Sequence, residues 1–390
     1  MKSSIIRNSE FGIRNSLGIY VHVPFCRSKC PYCDFYSLCG TKEADAYTKA
    51  VTNDIKTLEG MADFADKEAF TRPVDTVYFG GGTPSLMGKE RITEILSAIK
   101  DGFNVLPSTE ITVECNPSTP DIEDFFTGCA KAGVNRISLG MQSANDSERR
   151  SLGRRADRER IKYCVEKARS SGIDNISLDV MLGIPGQTAE SLDDTLGFAL
   201  SLDVPHISAY ILKLEEGTFF YKNRDKLPLP DDDTASELYI QMCKKLEKAG
   251  MRHYEISNFC FEDKISRHNT RYWRDEEYLG FGPSAHSFYN GKRFYYERDL
   301  NGYINGAKAV YDCAGGDAEE VFMLALRTDT GLNLQSWRER FNVNINDGFI
   351  SEKDLLSRYG LIKEKNGVIS LTDNGMLLSN SVISSLLSKL

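Results

Sequence analysis

Two rhythms of apolar and polar residues alternate along most of this chain. Short β-rich runs occupy 17–23, 74–79, 110–115, 134–139, 175–180 and 206–212. Between them apolar residues recur at helical spacing. Tyr47, Val51, Ile55 and Leu58 form one stripe, and Ile92, Ile95, Leu96 and Ile99 another. Ile122, Phe125, Phe126 and Cys129 form a third, then Ile161, Cys164, Val165 and Ala168 a fourth. Leu192, Leu196 and Ala199 follow, and finally Leu238, Met242 and Leu246. Strands each followed by a helix predict an α/β fold with a parallel sheet and right-handed crossovers. Six repeats fit an incomplete (β/α)6 barrel better than a closed eight-fold one, with a doubly wound sheet as the alternative.

The character changes beyond about residue 315. Helices are expected at 319–327, 334–341 and 351–359, then strands at 361–364 and 368–371 joined through Asn366-Gly367, a hairpin signal. Together these predict a winged-helix-like domain at 317–390. Its charges are mixed (Arg338, Glu339, Arg340, Lys363, Glu364, Lys365), which favours a packing or lid role over DNA binding. The core and its extension are expected at 17–290 and a connecting segment at 291–316. Residues 1–16 repeat Ile-Arg-Asn-Ser at 6–9 and 13–16 and are expected to be a disordered leader.

In either architecture functional groups belong at the C-terminal ends of the strands. There the sequence places its unusual residues: cysteines after the first strand, Gly80-Gly81-Gly82-Thr83-Pro84 after the second, Glu114 closing the third, Gln142 after the fourth and Asp179 closing the fifth.

Composition narrows the class. A net charge of −8 argues against a nucleic-acid partner. No apolar run approaches the roughly 18 residues of a membrane span, and the N-terminus has no secretory apolar region. A cytoplasmic location follows, where ten cysteines stay reduced. Six of them, Cys115, Cys129, Cys164, Cys243, Cys260 and Cys313, stand singly and read as small hydrophobes.

Cys26, Cys30 and Cys33 follow a C-x3-C-x2-C spacing, and Cys39 stands six further on. A zinc site usually recruits a second cysteine pair, which is missing here, and a C-x-x-C dithiol leaves Cys26 unexplained. Three thiolates in one loop can instead hold three irons of a [4Fe–4S] cluster and leave the fourth open to a substrate. His22, inside the first strand, reads as structural.

The stretches YVHVPFC, CPYCDF, FGGGTPS, SLGMQS, LGRR and LDVMLGIPGQT resemble the oxygen-independent coproporphyrinogen III oxidase family of radical S-adenosylmethionine (SAM) enzymes, and within it the haem chaperone branch. The resemblance covers 17–390. It implies a [4Fe–4S] cluster on Cys26, Cys30 and Cys33, and SAM contacts at Tyr20, Tyr32, Gly81, Gly82, Thr83, Glu114, Gln142, Arg154 and Asp179. Backbone N–H groups of the glycine turn are expected to be free for the SAM methionyl end. Arg154 is expected to pair with the SAM carboxylate, and Glu114 or Asp179 to meet ribose hydroxyls or the ammonium. Phe35 stands where the oxidases carry a further cysteine. His268-Asn269-Thr270-Arg271-Tyr272-Trp273 resembles the H-N-x-x-Y-W motif of the chaperone branch, so His268 is the haem-ligand candidate, with Cys260 and His286 behind it. The implied partners are haem as cargo, an apo-haemoprotein recipient, a one-electron donor such as a flavodoxin, and a peripheral membrane contact. The alternative activity is radical decarboxylation of coproporphyrinogen III in porphyrin biosynthesis.

Overall fold

Six parallel strands lie side by side in chain order in the computed structural model, which describes residues 15–390. They are β1 (Leu17–Val23), β2 (Pro73–Gly81), β3 (Asn104–Cys115), β4 (Arg136–Gln142), β5 (Asn175–Leu182) and β6 (His206–Ile211). Between and after them run α1 (Ala44–Thr57), α2 (Lys89–Gly102), α3 (Ile122–Ala132), α4 (Arg158–Ser170), α5 (Ala189–Ser201) and α6 (Asp232–Lys248). Side-chain caps start several of these helices. Asp157 accepts from the Arg160 N–H, Asp231 from Thr234, and Thr188 forms a capping box with Ser191. The two edges of the sheet do not pair, so the (β/α)6 barrel is open.

Side chains alternate faces along each strand. Ile19, Val21, Val77, Val113, Leu139 and Leu178 join the apolar stripes of the helices in one core. The intervening positions carry Tyr78, Glu114, Arg136, Ser138, Asp179 and Tyr210, which line a cavity. Burial of the first set holds the barrel together, and the second set gives the barrel a polar interior.

The sheet extends beyond the six expected strands. At one edge β8 (Asn258–Cys260) adds antiparallel to β6, and β7 (Arg252–Glu255) antiparallel to β8. At the other edge β9 (Tyr278–Phe281) pairs parallel with β1, Gly18 opposite Tyr278 and Val21 opposite Phe281. Antiparallel β10 (His286–Tyr289), β11 (Lys292–Tyr295) and β12 (Val310–Ala314) complete a 12-stranded sheet. Segment 291–316, expected as a connection, therefore supplies two sheet strands and the short helix Leu300–Ile304, which packs on α1.

The C-terminal region places helices at Ala318–Ala325, Leu334–Phe341 and Asp347–Arg358 around Phe322, Trp337 and Phe349. Its hairpin joins Ile362–Lys365 to Val368–Leu371 through Asn366 (φ 54°) and Gly367 (φ 75°), both left-handed as a tight hairpin turn requires. A third strand, Leu332–Asn333, and two further helices, Asp373–Leu377 and Ser379–Leu387, were not legible in the pattern. Arg252 anchors this region to the sheet by donating to both Asp329 carboxylate oxygens, at 2.5 and 3.0 Å.

Residues 1–14, and with them most of the expected leader, lie outside the described residues. Ser16, assigned to that leader, is buried. Its hydroxyl donates to Asp75 (3.0 Å) and accepts from Arg271 (2.9 Å), so it belongs to the packed chain.

Candidate functional site

The cavity has a volume of about 700 Å3 and opens among the loops that follow the strands. One wall is the loop after β1. Its two ends are pinned by a short parallel pairing of Phe25–Cys26 with Leu38–Cys39, through Leu38 N–H to Pro24 O (2.7 Å) and Gly40 N–H to Cys26 O (2.9 Å). Inside it, Cys33 N–H donates to Cys30 O at 3.2 Å and turns the chain. Cys26, Cys30 and Cys33 are half-buried free thiols on the cavity wall. Burial pushes the Cys33 thiol up, with Cys30 and Cys26 adding to the rise. Cys39 is exposed and off the wall, although its backbone pairs with Cys26. Cys115 also borders the cavity but is buried, so the loop itself offers three half-buried thiols, which suits a cluster that keeps one iron open.

The glycine turn faces these thiols differently from expectation. Its N–H groups are taken: Gly81 donates to Glu114 Oε2 (3.1 Å), Gly82 to Val23 O (2.8 Å) and Thr83 to Phe25 O (2.7 Å). The glycines serve close packing instead. A Cβ on Gly82 would stand 2.7 Å from two backbone oxygens, and one on Gly81 (φ 104°) would strike the His22 ring at 2.5 Å. Thr83 Oγ1 lies 3.5 Å from Cys26 Sγ.

The carboxylates project from the strand ends. Glu114 accepts the Tyr78 hydroxyl at 2.8 Å, and burial raises its pKa to about 7. Asp179 accepts from Ser138 at 3.0 Å and is also raised by burial. Gln142 sits at a bulge of β4 with φ 70° and accepts the Tyr210 hydroxyl at 3.0 Å. Arg154 donates from Nε and Nη2 to the Tyr32 hydroxyl. Tyr32, Gly81, Gly82, Thr83, Glu114, Gln142, Arg154 and Asp179 thus share one cavity with the three thiols. Tyr20 is not on this wall. Its hydroxyl bonds His22 Nδ1 (3.1 Å), while His22 Nε2 meets Tyr36 O (2.9 Å), a structural pairing in which burial lowers the His22 pKa to about 4.

His268 is not open to an iron. It is fully buried, with Nδ1 2.9 Å from Thr76 Oγ1, Nε2 2.9 Å from the Tyr272 hydroxyl, and its ring stacked on Tyr78. Cys260 is buried too and donates to Glu262 O. Of five histidines, His22, His206, His253 and His268 are buried and hydrogen-bonded, whereas His286 is exposed. The cavity floor holds groups that sequence reading did not single out, Arg136, Ser177, Ser208, Asn258 and Asn269. Arg136, Ser177 and Ser208 fall on strands recognised only for their apolar positions, Asn258 lies on an added strand, and Asn269 sits on the short helix Arg267–Trp273, recognised only as part of the His268 motif.

A family model described as the Radical SAM superfamily matches residues 20–199, and one described as the HemN C-terminal domain matches residues 317–378. The heme chaperone HemW of Bacillus subtilis is 31% identical over 385 residues, spanning 95% of this chain and 99% of that one. The chain belongs to the HemW family of radical SAM proteins. HemW of Haemophilus influenzae is 37% identical over 298 residues, 74% of this chain and 76% of its own. The solved coproporphyrinogen III oxidase (HemN) of Escherichia coli superposes with a TM-score of 0.80 over 96% of this chain and 91% of its own, at 22% identity, and so shares the fold. Radical SAM membership implies a [4Fe–4S] cluster and SAM as cofactors, and the thiol trio on a polar cavity fits both. Among the described residues no helix is long and apolar enough to cross a membrane.

Proposed function

We propose that this protein binds haem and delivers it to apo-haemoproteins, with the cluster and SAM in a regulatory or auxiliary role. The observation that carries this reading is Phe35. By the resemblance it stands where the oxidases carry a further cysteine, and it is 66% exposed on the cavity wall, where it offers an apolar face. Full-length relatives named as heme chaperones support it.

Electron transfer from a reduced cluster to bound SAM is the chemistry that cofactor pair supplies. The chain's own residues would hold and orient it: Cys26, Cys30 and Cys33 on three irons, Arg154 on the SAM carboxylate, and Glu114 or Asp179 on the ammonium or ribose hydroxyls. Gln142, Gly81, Gly82 and Thr83 complete the SAM wall. His286, exposed but off the cavity wall, is the remaining imidazole candidate for haem iron. A one-electron donor such as a flavodoxin, a recipient apo-haemoprotein and a peripheral membrane contact in the cytoplasm complete the reading.

Haemin titration of the anaerobically reconstituted protein, beside an assay for coproporphyrinogen decarboxylation, tests it. Stable haem binding without turnover is expected. Robust turnover would establish the oxidase reading instead.

A further inference from the structure

Two arginines are the largest fully buried side chains among the described residues, and the fold partners their terminal nitrogens unequally. Arg271 is heavily partnered, although its Nε, like that of Arg136, is buried without an acceptor. It pairs with Asp75 and with Glu276 (3.5 Å), and donates to Ser16 Oγ (2.9 Å), Ser16 O (3.3 Å) and Glu277 O (3.1 Å). Arg136 is 2% exposed, and among the described residues its guanidinium makes no hydrogen bond or ion pair; its Nε is buried without an acceptor. Arg149, 3% exposed, is paired with Asp146 and Ser143 O, so neglect of buried arginines is not the habit of this fold.

Arg136 opens β4 and lines the cavity. Six residues separate it from Gln142 at the rim, roughly 20 Å along a strand. It therefore marks the floor, at the opposite end from the three thiols. Around it are neutral groups, Ser177, Ser208, Asn258 and Asn269. Asn258 Oδ1 is also buried without a donor. Glu114 and Asp179 line the same cavity, and the field of Arg136 pulls both down against the larger upward push of burial. They lie higher on their strands, in register with Ser138 and Gly140.

A guanidinium cannot shed its proton, and a buried charge without a partner is strongly destabilising. A fold keeps such a group when a ligand supplies the counter-charge, and the planar fork of arginine matches a carboxylate.

We propose that Arg136 receives a carboxylate group of the molecule held in the cavity, with the Asn258 amide as its neighbour on the floor. A porphyrin would bring that carboxylate through a propionate arm; SAM, whose carboxylate is assigned above to Arg154 beside the thiol loop, is the rival source that the test separates. The porphyrin source rests on the haem reading above.

The test uses full-length protein with its cluster reconstituted, the ligands haemin, haemin dimethyl ester, SAM and decarboxylated SAM, and the variants Arg136→Gln and Arg136→Lys. A propionate source predicts that Arg136→Gln weakens haemin at least tenfold and leaves the dimethyl ester unchanged, with Arg136→Lys between. A methionyl source predicts the same contrast between SAM and its decarboxylated form, with haemin unaffected. If haemin does not bind the wild type at all, the haem reading falls and the SAM pair alone decides Arg136. The ligand-free melting temperature of Arg136→Gln should hold or rise, because an unpaired charge has been removed. A variant that binds both carboxylate ligands like wild type, or that cannot fold, overturns the proposal; the second result would show the guanidinium to be partnered within the protein.

Discussion

The hydroxyl of Tyr32 accepts two hydrogen bonds from Arg154, from Nε at 3.2 Å and Nη2 at 2.9 Å, across 122 residues of chain. Tyr32 lies between Cys30 and Cys33, so the same loop that carries the thiols fixes the direction of the guanidinium. Tyr32→Phe keeps the ring but releases that anchor. It should retain iron and weaken SAM binding roughly ten- to a hundredfold, in line with about 1.5–3 kcal/mol for a hydrogen bond to a charged group. Iron analysis and SAM titration of the reconstituted variant read the two effects separately.

The position of Cys39 separates ligand from neighbour. Cys30→Ala should lose most of the iron that anaerobic reconstitution gives the wild type. Cys39→Ala should keep it, because that thiol is exposed and off the cavity wall. Loss of iron in Cys39→Ala would reassign the fourth cysteine.

Burial of His268 redirects the haem prediction. His268→Ala removes the partner of Thr76 and Tyr272 and leaves both buried polar groups unsatisfied, which should lower stability by about 2–4 kcal/mol. Its haem absorption spectrum, measured on the folded fraction, should match wild type. His286→Ala should shift that spectrum with little change in melting temperature, since the side chain is exposed.

Glu114 gives a pH signature. Burial raises its folded pKa to about 7, against roughly 4.3 for an unfolded chain. Between those values the native state holds more protons than the unfolded one, so this group's contribution is full at the low end and is lost as pH rises through 7. Glu255, likewise buried and raised to about 7, acts in the same sense. Glu114→Gln should flatten the fall of melting temperature between pH 5 and 7.5, whatever its absolute value, and a scan of melting temperature against pH checks it.

Ser16 sets the boundary for truncation. A chain starting at Leu17 loses the hydroxyl that bridges Asp75 and Arg271 and should melt a few degrees lower than one starting at Asn15. Paired thermal melts of the two truncations decide it.

The parallel barrel was readable because its strands alternate aliphatic residues against polar ones, and its helices repeat at 3.6. The site residues were readable because strand ends concentrate function. What escaped depends on distant partners. The acceptors for Gly82 and Thr83 are backbone oxygens of Val23 and Phe25, which no spacing reveals, so the turn's N–H groups looked free. The saturation of His268 rests on Thr76, 192 residues away. Strand β9 is four residues long and takes its place by pairing with β1 on one side and β10 on the other, and Arg136 reads as one more polar residue on an alternating strand.

That pairing of β1 with β9 also orders events in time. Gly18 cannot meet Tyr278 until 260 further residues have been made, roughly 13–50 s at 5–20 residues per second. The loop bearing Cys26, Cys30 and Cys33 thus leaves the ribosome well before the strand that flanks its root. Throughout that interval one edge of β1 is a bare ladder of N–H and C=O groups, and newly made chain must reach it before another chain does.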